Sequence, residues 1–92
     1  MTVTIGKTTF DHVEYDEDAD VLYLHVGDPK TATHFEESPE GHAWRFDSAG
    51  RLVGLTIVNA RLLLEHGRPI AITMPERVEV DPQQLAPAIH AA

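Results

Sequence analysis

Apolar and polar residues alternate along most of the first two thirds of the chain, a pattern typical of β-strands with one buried face. Between residues 20 and 26 the alternation places Leu22, Leu24 and Val26 on one face and Val21, Tyr23 and His25 on the other. Residues 10–15 and 20–26 are predicted to pair as a hairpin around residues 16–19. This register sets Val13 opposite Leu22 and His12 opposite Tyr23.

A second hairpin is predicted between residues 32–37 and 42–47, joined by the turn formers of residues 38–41. Its register places Phe35 opposite Trp44 and His34 opposite Arg45. The chain turns again at residues 47–50 and continues in a strand over residues 51–58, with Trp44 facing Val53 and His42 near Leu55. The predicted core is the face that carries Phe35, Trp44, Phe46, Val53, Leu55 and Ile57.

The helical periods lie in the last third of the chain. Asn59 is a candidate N-cap for a helix over residues 60–66, which Gly67 ends. Residues 69–73 and 77–80 predict two short strands around residues 74–76, and Asp81 with Pro82 opens a final helical segment. The predicted fold class is α+β, a small antiparallel β-sheet of hairpins with one short covering helix and a C-terminal helical tail.

Length and composition indicate a single domain over residues 1–92, because so short a chain supports only one core. The absence of cysteine and of any apolar run near 20 residues favours a cytoplasmic protein without a membrane segment. Fifteen acidic and seven basic residues give a net charge of −8, and the bases are scattered. Direct nucleic-acid binding needs clustered bases and is therefore disfavoured.

The acidic stretch before Val21 raises the question of a metal loop. Asp16, Asp18 and Asp20 reproduce the opening of a calcium loop, but its sixth position is Val21 instead of glycine and its twelfth is Gly27 instead of glutamate. The stretch is interpreted as a hairpin turn whose carboxylates accept hydrogen bonds from backbone N–H groups. Asp20 is also a candidate partner for Tyr15.

A different candidate metal set lies on the first two strands. His12, Glu14 and His25 share one predicted face, and two histidines with one carboxylate form a ligand set typical of transition metals. The alternative is that these histidines bind no metal and are exposed or lie at an interface. No cofactor is predicted.

The sequence offers no catalytic set. Ser38 precedes a proline in a turn and Ser48 lies in the turn at residues 47–50, so neither has the strand-turn-helix setting of a hydrolase nucleophile. The chain is therefore interpreted as non-enzymatic. The acidic side chains Asp16, Glu17 and Asp18 are instead candidate protein-binding residues, because an acidic rim accelerates encounter with a small basic partner.

Two stretches, YDEDADVLYLHV and GHAWRFDSAGRLVGLTIVNA, together resemble the bacterial domain-of-unknown-function family 2283. The matching positions are Tyr15, Asp16, Asp20, Leu22, Tyr23, Asp47, Gly50, Val53, Gly54 and Ile57. Residues 15–64 form the family-like core and residues 68–92 a C-terminal extension. Where the family commonly carries an acidic residue this chain has Thr56, so no role of that carboxylate carries over.

The resemblance implies a small β-rich domain without an established activity. Some members of the family are encoded beside small toxin-like proteins, which implies an antitoxin-like, partner-binding role. Independently, both faces of residues 21–26 carry apolar side chains, and one short helix covers only one face. The sequence therefore predicts a homo-oligomer.

Overall fold

The structure, a computed structural model, describes residues 1–73 and 77–90. Its strands are β1 (Val3–Ile5), β2 (Thr8–Phe10), β3 (His12–Asp16), β4 (Val21–His25), β5 (His34–Glu37), β6 (Ala43–Phe46), β7 (Leu52–Val58), β8 (Ile70–Thr73) and β9 (Arg77–Val80). The helices are α1 (Ala60–His66) and α2 (Ala86–His90), with single 3₁₀ turns at Pro29–Thr31 and Pro82–Gln84. A five-stranded antiparallel sheet in the order β3-β4-β7-β6-β5 is accompanied by the hairpins β1-β2 and β8-β9. The predicted α+β architecture is confirmed.

One face of the five-stranded sheet, here called the inner face, carries the core. Its buried side chains are Leu22, Leu24, Trp44, Leu55 and Ile57. They form one cluster with buried residues of both small hairpins and both helices, namely Val3, Ile5, Phe10, Ala60, Leu64, Ile70, Ile72, Val80, Leu85, Ala88 and Ile89. The covering elements therefore pack on the inner face, and residues beyond the family-like core contribute to the same cluster. The division of residues 1–92 into a core and an extension stays a prediction.

The register of the first hairpin differs from the predicted one. Val13 lies opposite Leu24 and His12 opposite His25, so the pairing is shifted by two residues. The reason is the turn: Asp16, predicted to belong to it, pairs with Val21 at the end of β3, and Asp20, predicted to begin β4, adopts a left-handed conformation with φ of 55° and ends the turn. A shift of two residues keeps each side chain on its predicted face.

The second hairpin slips by one residue, which reverses the face of β5. Phe35 pairs with Arg45 instead of Trp44, and His34 pairs with Phe46 instead of Arg45. Residues 38–42 lie between the two strands instead of the predicted 38–41, and the N–H of Ser38 donates to the carbonyl of His42 at 2.7 Å. Phe35, predicted to be core, is 65% exposed.

The pairing of β6 with β7 also differs from the predicted one, and it contains a bulge between Arg45 and Phe46. Trp44 faces Leu55 instead of Val53, although its predicted burial is confirmed at 4% exposure. His42 is not beside Leu55; its Nδ1 accepts the backbone N–H of Val58 at 3.2 Å.

Helix α1 has its predicted bounds, but Asn59 does not cap it as expected. Asn59 is left-handed with φ of 59°, and its side chain makes no capping hydrogen bond with the described residues. Gly67 ends the helix as predicted: its φ is 68° and its N–H donates to the carbonyl of Leu64.

The ends of the chain give one missed element and one confirmed element. Hairpin β1-β2 was not predicted, although it contributes the fully buried Phe10 to the core. The predicted final helical segment is present, with Asp81 accepting the N–H of Gln83. Leu85 and Ile89 are both fully buried. The predicted turn at residues 74–76 lies outside the described residues.

Candidate functional site

The second face of the five-stranded sheet, here called the outer face, is the candidate functional surface. The strand registers arrange its side chains in rows across the sheet. One row consists of Glu14, Tyr23, Thr56, Ala43 and Glu37, and the next of His12, His25, Gly54, Arg45 and Phe35. A shorter third row consists of Asp16, Val21 and Val58.

The outer face exposes large apolar side chains. Phe35 is 65% exposed, and Tyr23 and Val58 are each 36% exposed. Val21, Ala43 and Thr56 are half-buried although the core cluster occupies the opposite face. No element among the described residues contributes a buried apolar side chain over this face. It is a mixed apolar and polar surface, not the polar surface expected of a sheet face that meets only water.

An open cavity of about 530 Å³ lies on the outer face. It is lined by His12, Val13, Glu14, Tyr23, Leu24, His25, Arg45 and Thr56. Gly54 lies beside His25 and Arg45 in this cavity, and a Cβ at its position would lie 3.0 Å from Cδ2 of His25 and 3.1 Å from Cβ of Arg45. Gly54 therefore lets the imidazole ring and the arginine stem lie against the sheet.

His25 is the buried polar residue of this cavity, at 5% exposure. Its Nδ1 lies 2.9 Å from the carbonyl oxygen of Val26, so Nδ1 carries the proton and donates it. Its Nε2 is buried and has no hydrogen-bond partner among the described residues. The ring is fixed in one tautomer by its own strand end.

The predicted metal residues come together only in part. His12 and His25 are directly opposite each other and line the cavity with Glu14, which lies one row away opposite Tyr23. Within residues 1–73 and 77–90, however, no three His, Cys, Asp or Glu side chains are grouped closely enough to hold a metal ion. Arg45 lines the same cavity, and its positive charge opposes a bound cation. The metal site stays a prediction from the sequence.

Arg45 is a functional candidate that the sequence did not single out. Its side chain is half-buried, and it forms no salt bridge with any described residue. The signal available in the sequence was alternation: with the correct register Arg45 is on the same face as Tyr23 and Thr56. The one-residue slip in the predicted hairpin had placed Arg45 opposite His34 instead of Phe35.

The acidic turn between β3 and β4 is a structured turn, as predicted. Oδ1 of Asp16 accepts the backbone N–H groups of Asp18 and Ala19 at 3.0 and 3.2 Å. Glu17 lies 3.6 Å from the guanidinium of Arg61, whereas the carboxylate of Asp18 is exposed and has no partner among the described residues. Asp16, Glu17 and Asp18 are thus all at the surface, and their role in protein binding stays a prediction.

Asp20 caps helix α1 from a distant part of the chain. The first three N–H groups of a helix have no partner within it. Here the carbonyl of Asp20 accepts the N–H of Ala60 at 3.1 Å, and its carboxylate accepts those of Arg61 and Leu62 at 2.7 and 3.3 Å. This single residue therefore does the work that the sequence assigned to Asn59.

Tyr15 holds the capping carboxylate in place. Its hydroxyl donates to Oδ1 of Asp20 at 2.6 Å, and the guanidinium of Arg61 lies 5.4 Å from the centre of its ring. Burial raises the pKa of Asp20, but the hydrogen bonds from Tyr15 and from the helix N–H groups outweigh it and lower the pKa below its ordinary value of 3.8. The same hydrogen bond raises the pKa of Tyr15.

The two turns at the α1 end of the sheet are both acidic. The turn between β5 and β6 contains Glu40, whose carboxylate accepts the N–H and the hydroxyl of Thr73 at 2.9 and 2.8 Å. In the same turn Oγ of Ser38 accepts the N–H of His42 at 3.1 Å. Ser38 is therefore buried in a structural role.

A family model described as "Protein of unknown function (DUF2283)" matches residues 12–61. The chain belongs to the DUF2283 family. The match begins at the first residue of β3 and ends in the first turn of α1. No curated protein and no solved structure matches the chain.

The geometry gives structural reasons for the positions on which the DUF2283 resemblance rested. Tyr15, Asp16 and Asp20 form the turn and cap α1. Asp47 accepts the N–H groups of Ala49 and Arg51, and Gly50 completes that turn with φ of 81°. None of these contacts among the described residues resembles a catalytic arrangement.

No described helix has the length and apolar character needed to cross a bilayer.

Proposed function

We propose that this DUF2283 chain is a non-enzymatic cytoplasmic module that self-associates through the outer face of its five-stranded sheet and binds a protein partner. The observation that carries the proposal is that only one face of the sheet is covered by other described elements. The described helices and small hairpins pack on the inner face, while Tyr23, Phe35 and Val58 are exposed on the outer face. Sheets pack face to face at about 10 Å, and such packing would remove the apolar groups of the central strands, Tyr23 and Val58, from water.

A second copy of the chain fits the outer face because this face combines an apolar middle with charges of both signs. Tyr23 and Thr56 lie on the central strands β4 and β7, while Glu14 and Arg45 lie on the strands that flank them. Apolar cores with polar rims are typical of protein interfaces, and tyrosine and arginine are enriched in them. Symmetric pairs are the commonest assemblies of soluble proteins.

The test compares two lysine substitutions by sedimentation velocity. Tyr23→Lys places a charge in the middle of the outer face, and we expect it to lower the sedimentation coefficient to that of a monomer. Leu62→Lys is the matched control, because Leu62 is 47% exposed on helix α1 and does not lie on the outer face. Equal sedimentation of Tyr23→Lys and the parent protein would refute an outer-face interface.

A second role, binding of a small basic protein in an antitoxin-like manner, is supported by the acidic end of the sheet. The turn with Asp16, Glu17 and Asp18 and the turn with Glu40 lie at the end where α1 begins. The net charge of −8 attracts a basic partner over a Debye length of about 8 Å at physiological salt.

Co-expression with the neighbouring genes and co-purification of the untagged products tests this second role. We expect a small basic protein to be retained and its association rate to fall with salt and on charge reversal at Asp18. Asp18 suits this purpose since its carboxylate has no partner among the described residues. If no protein is retained, the antitoxin-like role is excluded while self-association is unaffected.

A further inference from the structure

The charges of the outer face are separated between its two sides. Glu14 and Asp16 lie on β3, whereas Arg45 lies on β6, three strands away in the order β3-β4-β7-β6. At about 4.8 Å between strands, Glu14 and Arg45 of one chain are separated by about 14 Å across the sheet, and they also lie one row apart along the strands, so they are too far apart for an ion pair. Neither forms a salt bridge with another described residue.

The separation restricts how a second copy lies on the face. A two-fold axis that lies in the plane of the interface and runs perpendicular to the strands would place each strand over the same strand of the partner. The acids of β3 would then meet each other, and Arg45 would lie over the strand of the partner's Arg45. An axis parallel to the strands and centred on β7 would bring β3 onto β5, where Glu14 would face Glu37 of the partner subunit. Like charges in such positions oppose association.

An axis parallel to the strands and passing between β4 and β7 removes these conflicts. It lays β4 on β7 of the partner and β3 on β6 of the partner. Tyr23 then faces Thr56 of the partner subunit in the same row, and Val21 faces Val58 of the partner subunit. Arg45 lies over β3 of the partner, offset from Glu14 of the partner subunit by one row, about 7 Å along the strand, and by the sheet-to-sheet distance of about 10 Å, a separation that the arginine and glutamate side chains span together.

We propose that two copies pack outer face to outer face about this axis, with Arg45 of each chain paired to Glu14 of the partner subunit. This inference rests on the proposed self-association and specifies its geometry. The two-fold axis makes the pair twice, once on each side of the central apolar contact between Tyr23 and Thr56. Gly54 contributes by leaving room for the stem of Arg45 on the sheet, since a Cβ at this position would lie only 3.1 and 3.3 Å from Cβ and Cδ of Arg45.

A charge-swap experiment tests the pairing. Arg45→Glu and Glu14→Arg are each expected to raise the dimer dissociation constant by about tenfold or more, since each creates two like-charge contacts. The double variant Glu14→Arg with Arg45→Glu restores the pairs with exchanged signs, and its dissociation constant is expected within about threefold of the parent value. Circular dichroism and the emission of Trp44 establish that each variant is folded.

Glu37→Arg is the matched control. Glu37 is an acid of the same face but lies on β5, which extends past the partner's β3 in the proposed arrangement. We expect its dissociation constant to change by less than threefold. A parent protein that is monomeric at all concentrations would overturn the proposed function itself. A dimeric parent whose double variant stays as weak as the single variants, or whose Glu37→Arg variant is the weakened one, would overturn the Arg45–Glu14 pairing alone.

Discussion

Removing the carboxylate of Asp20 should uncouple helix α1 from the β3-β4 turn. Losing a side-chain cap costs about 1 to 2 kcal/mol. The hydroxyl of Tyr15 loses a charged acceptor, which adds about 1 kcal/mol. Alanine at φ of 55° adds up to about another 1 kcal/mol, because it lacks the short polar side chain whose local hydrogen bonds let aspartate adopt the left-handed conformation. The expected destabilisation for Asp20→Ala is therefore about 2 to 4 kcal/mol.

Asp20→Asn is the matched variant. Asparagine tolerates the left-handed conformation and keeps one oxygen acceptor, so we expect it to cost about 1 to 1.5 kcal/mol. The measurement is urea unfolding at one fixed protein concentration, followed by the emission of Trp44, which is the single tryptophan of the chain. A cost below about 0.5 kcal/mol for Asp20→Ala would refute the remote cap, and equal costs for the two variants would refute the contribution of the backbone conformation.

The dependence of stability on pH in the acid range also tests the role of Asp20. The pKa of Asp20 is lower in the folded protein than its ordinary value of 3.8, so its contribution is fully present above that value and is lost as the pH falls below it. The difference in stability between the parent and Asp20→Asn should therefore shrink as the pH falls from about 4 toward the folded pKa. A constant difference over that range would contradict a charge-assisted cap.

Three further predictions concern the sheet. Gly54→Ala should lower the free energy of unfolding in urea by about 1 to 3 kcal/mol, because its Cβ would lie 3.0 Å from the ring of His25. An unchanged free energy of unfolding would contradict that packing. Trp44→Ala should cost about 3 to 5 kcal/mol by circular dichroism, whereas Trp44→Phe should cost much less, since the buried indole N–H has no partner among the described residues. Burial lowers the pKa of His42, whose neutral Nδ1 accepts the N–H of Val58, so the free energy of unfolding should fall as the pH drops below about 6.5. His42→Gln should flatten this pH dependence, and an unchanged pH dependence in that variant would contradict the role given to His42.

Alternation was sufficient to predict the strands of the main sheet, because one face of each strand is buried and its period of two is visible in the sequence. It was not sufficient for the register. The predicted second hairpin was out of register by one residue and therefore placed the exposed Phe35 in the core. The correct register depends on whether His42 belongs to the turn or to β6, and the hydrogen bonds between Ser38 and His42 decide this in the folded chain. A one-residue difference in one turn reverses a whole strand.

The helix cap illustrates a second limit of sequence reasoning. Asn59 is in the usual position and of the usual type for an N-cap, yet the capping oxygens come from Asp20, some forty residues earlier in the chain. Local pattern rules find partners a few residues away and do not find this one. The resemblance to DUF2283 had included Tyr15 and Asp20, and their contact with α1 supplies the physical reason for that part of the pattern.

The outer face could be anticipated from the sequence only in outline. The two-sided apolar character of β4 predicted an interface, since Val21 and Tyr23 alternate with the buried Leu22 and Leu24. The place of Arg45 on that face required the correct register of β6 with β7. Its relation to Glu14 required the strand order, which the sequence did not determine.

The measurement that bears most directly on the outer-face interface is the molar mass of the unmodified protein by multi-angle light scattering over a dilution series. One chain has a mass of 10.2 kDa. We predict twice that mass at micromolar and higher concentrations, with a decrease toward the mass of one chain on dilution. A mass of 10.2 kDa at every concentration would contradict self-association, and with it the interface assigned to the outer face.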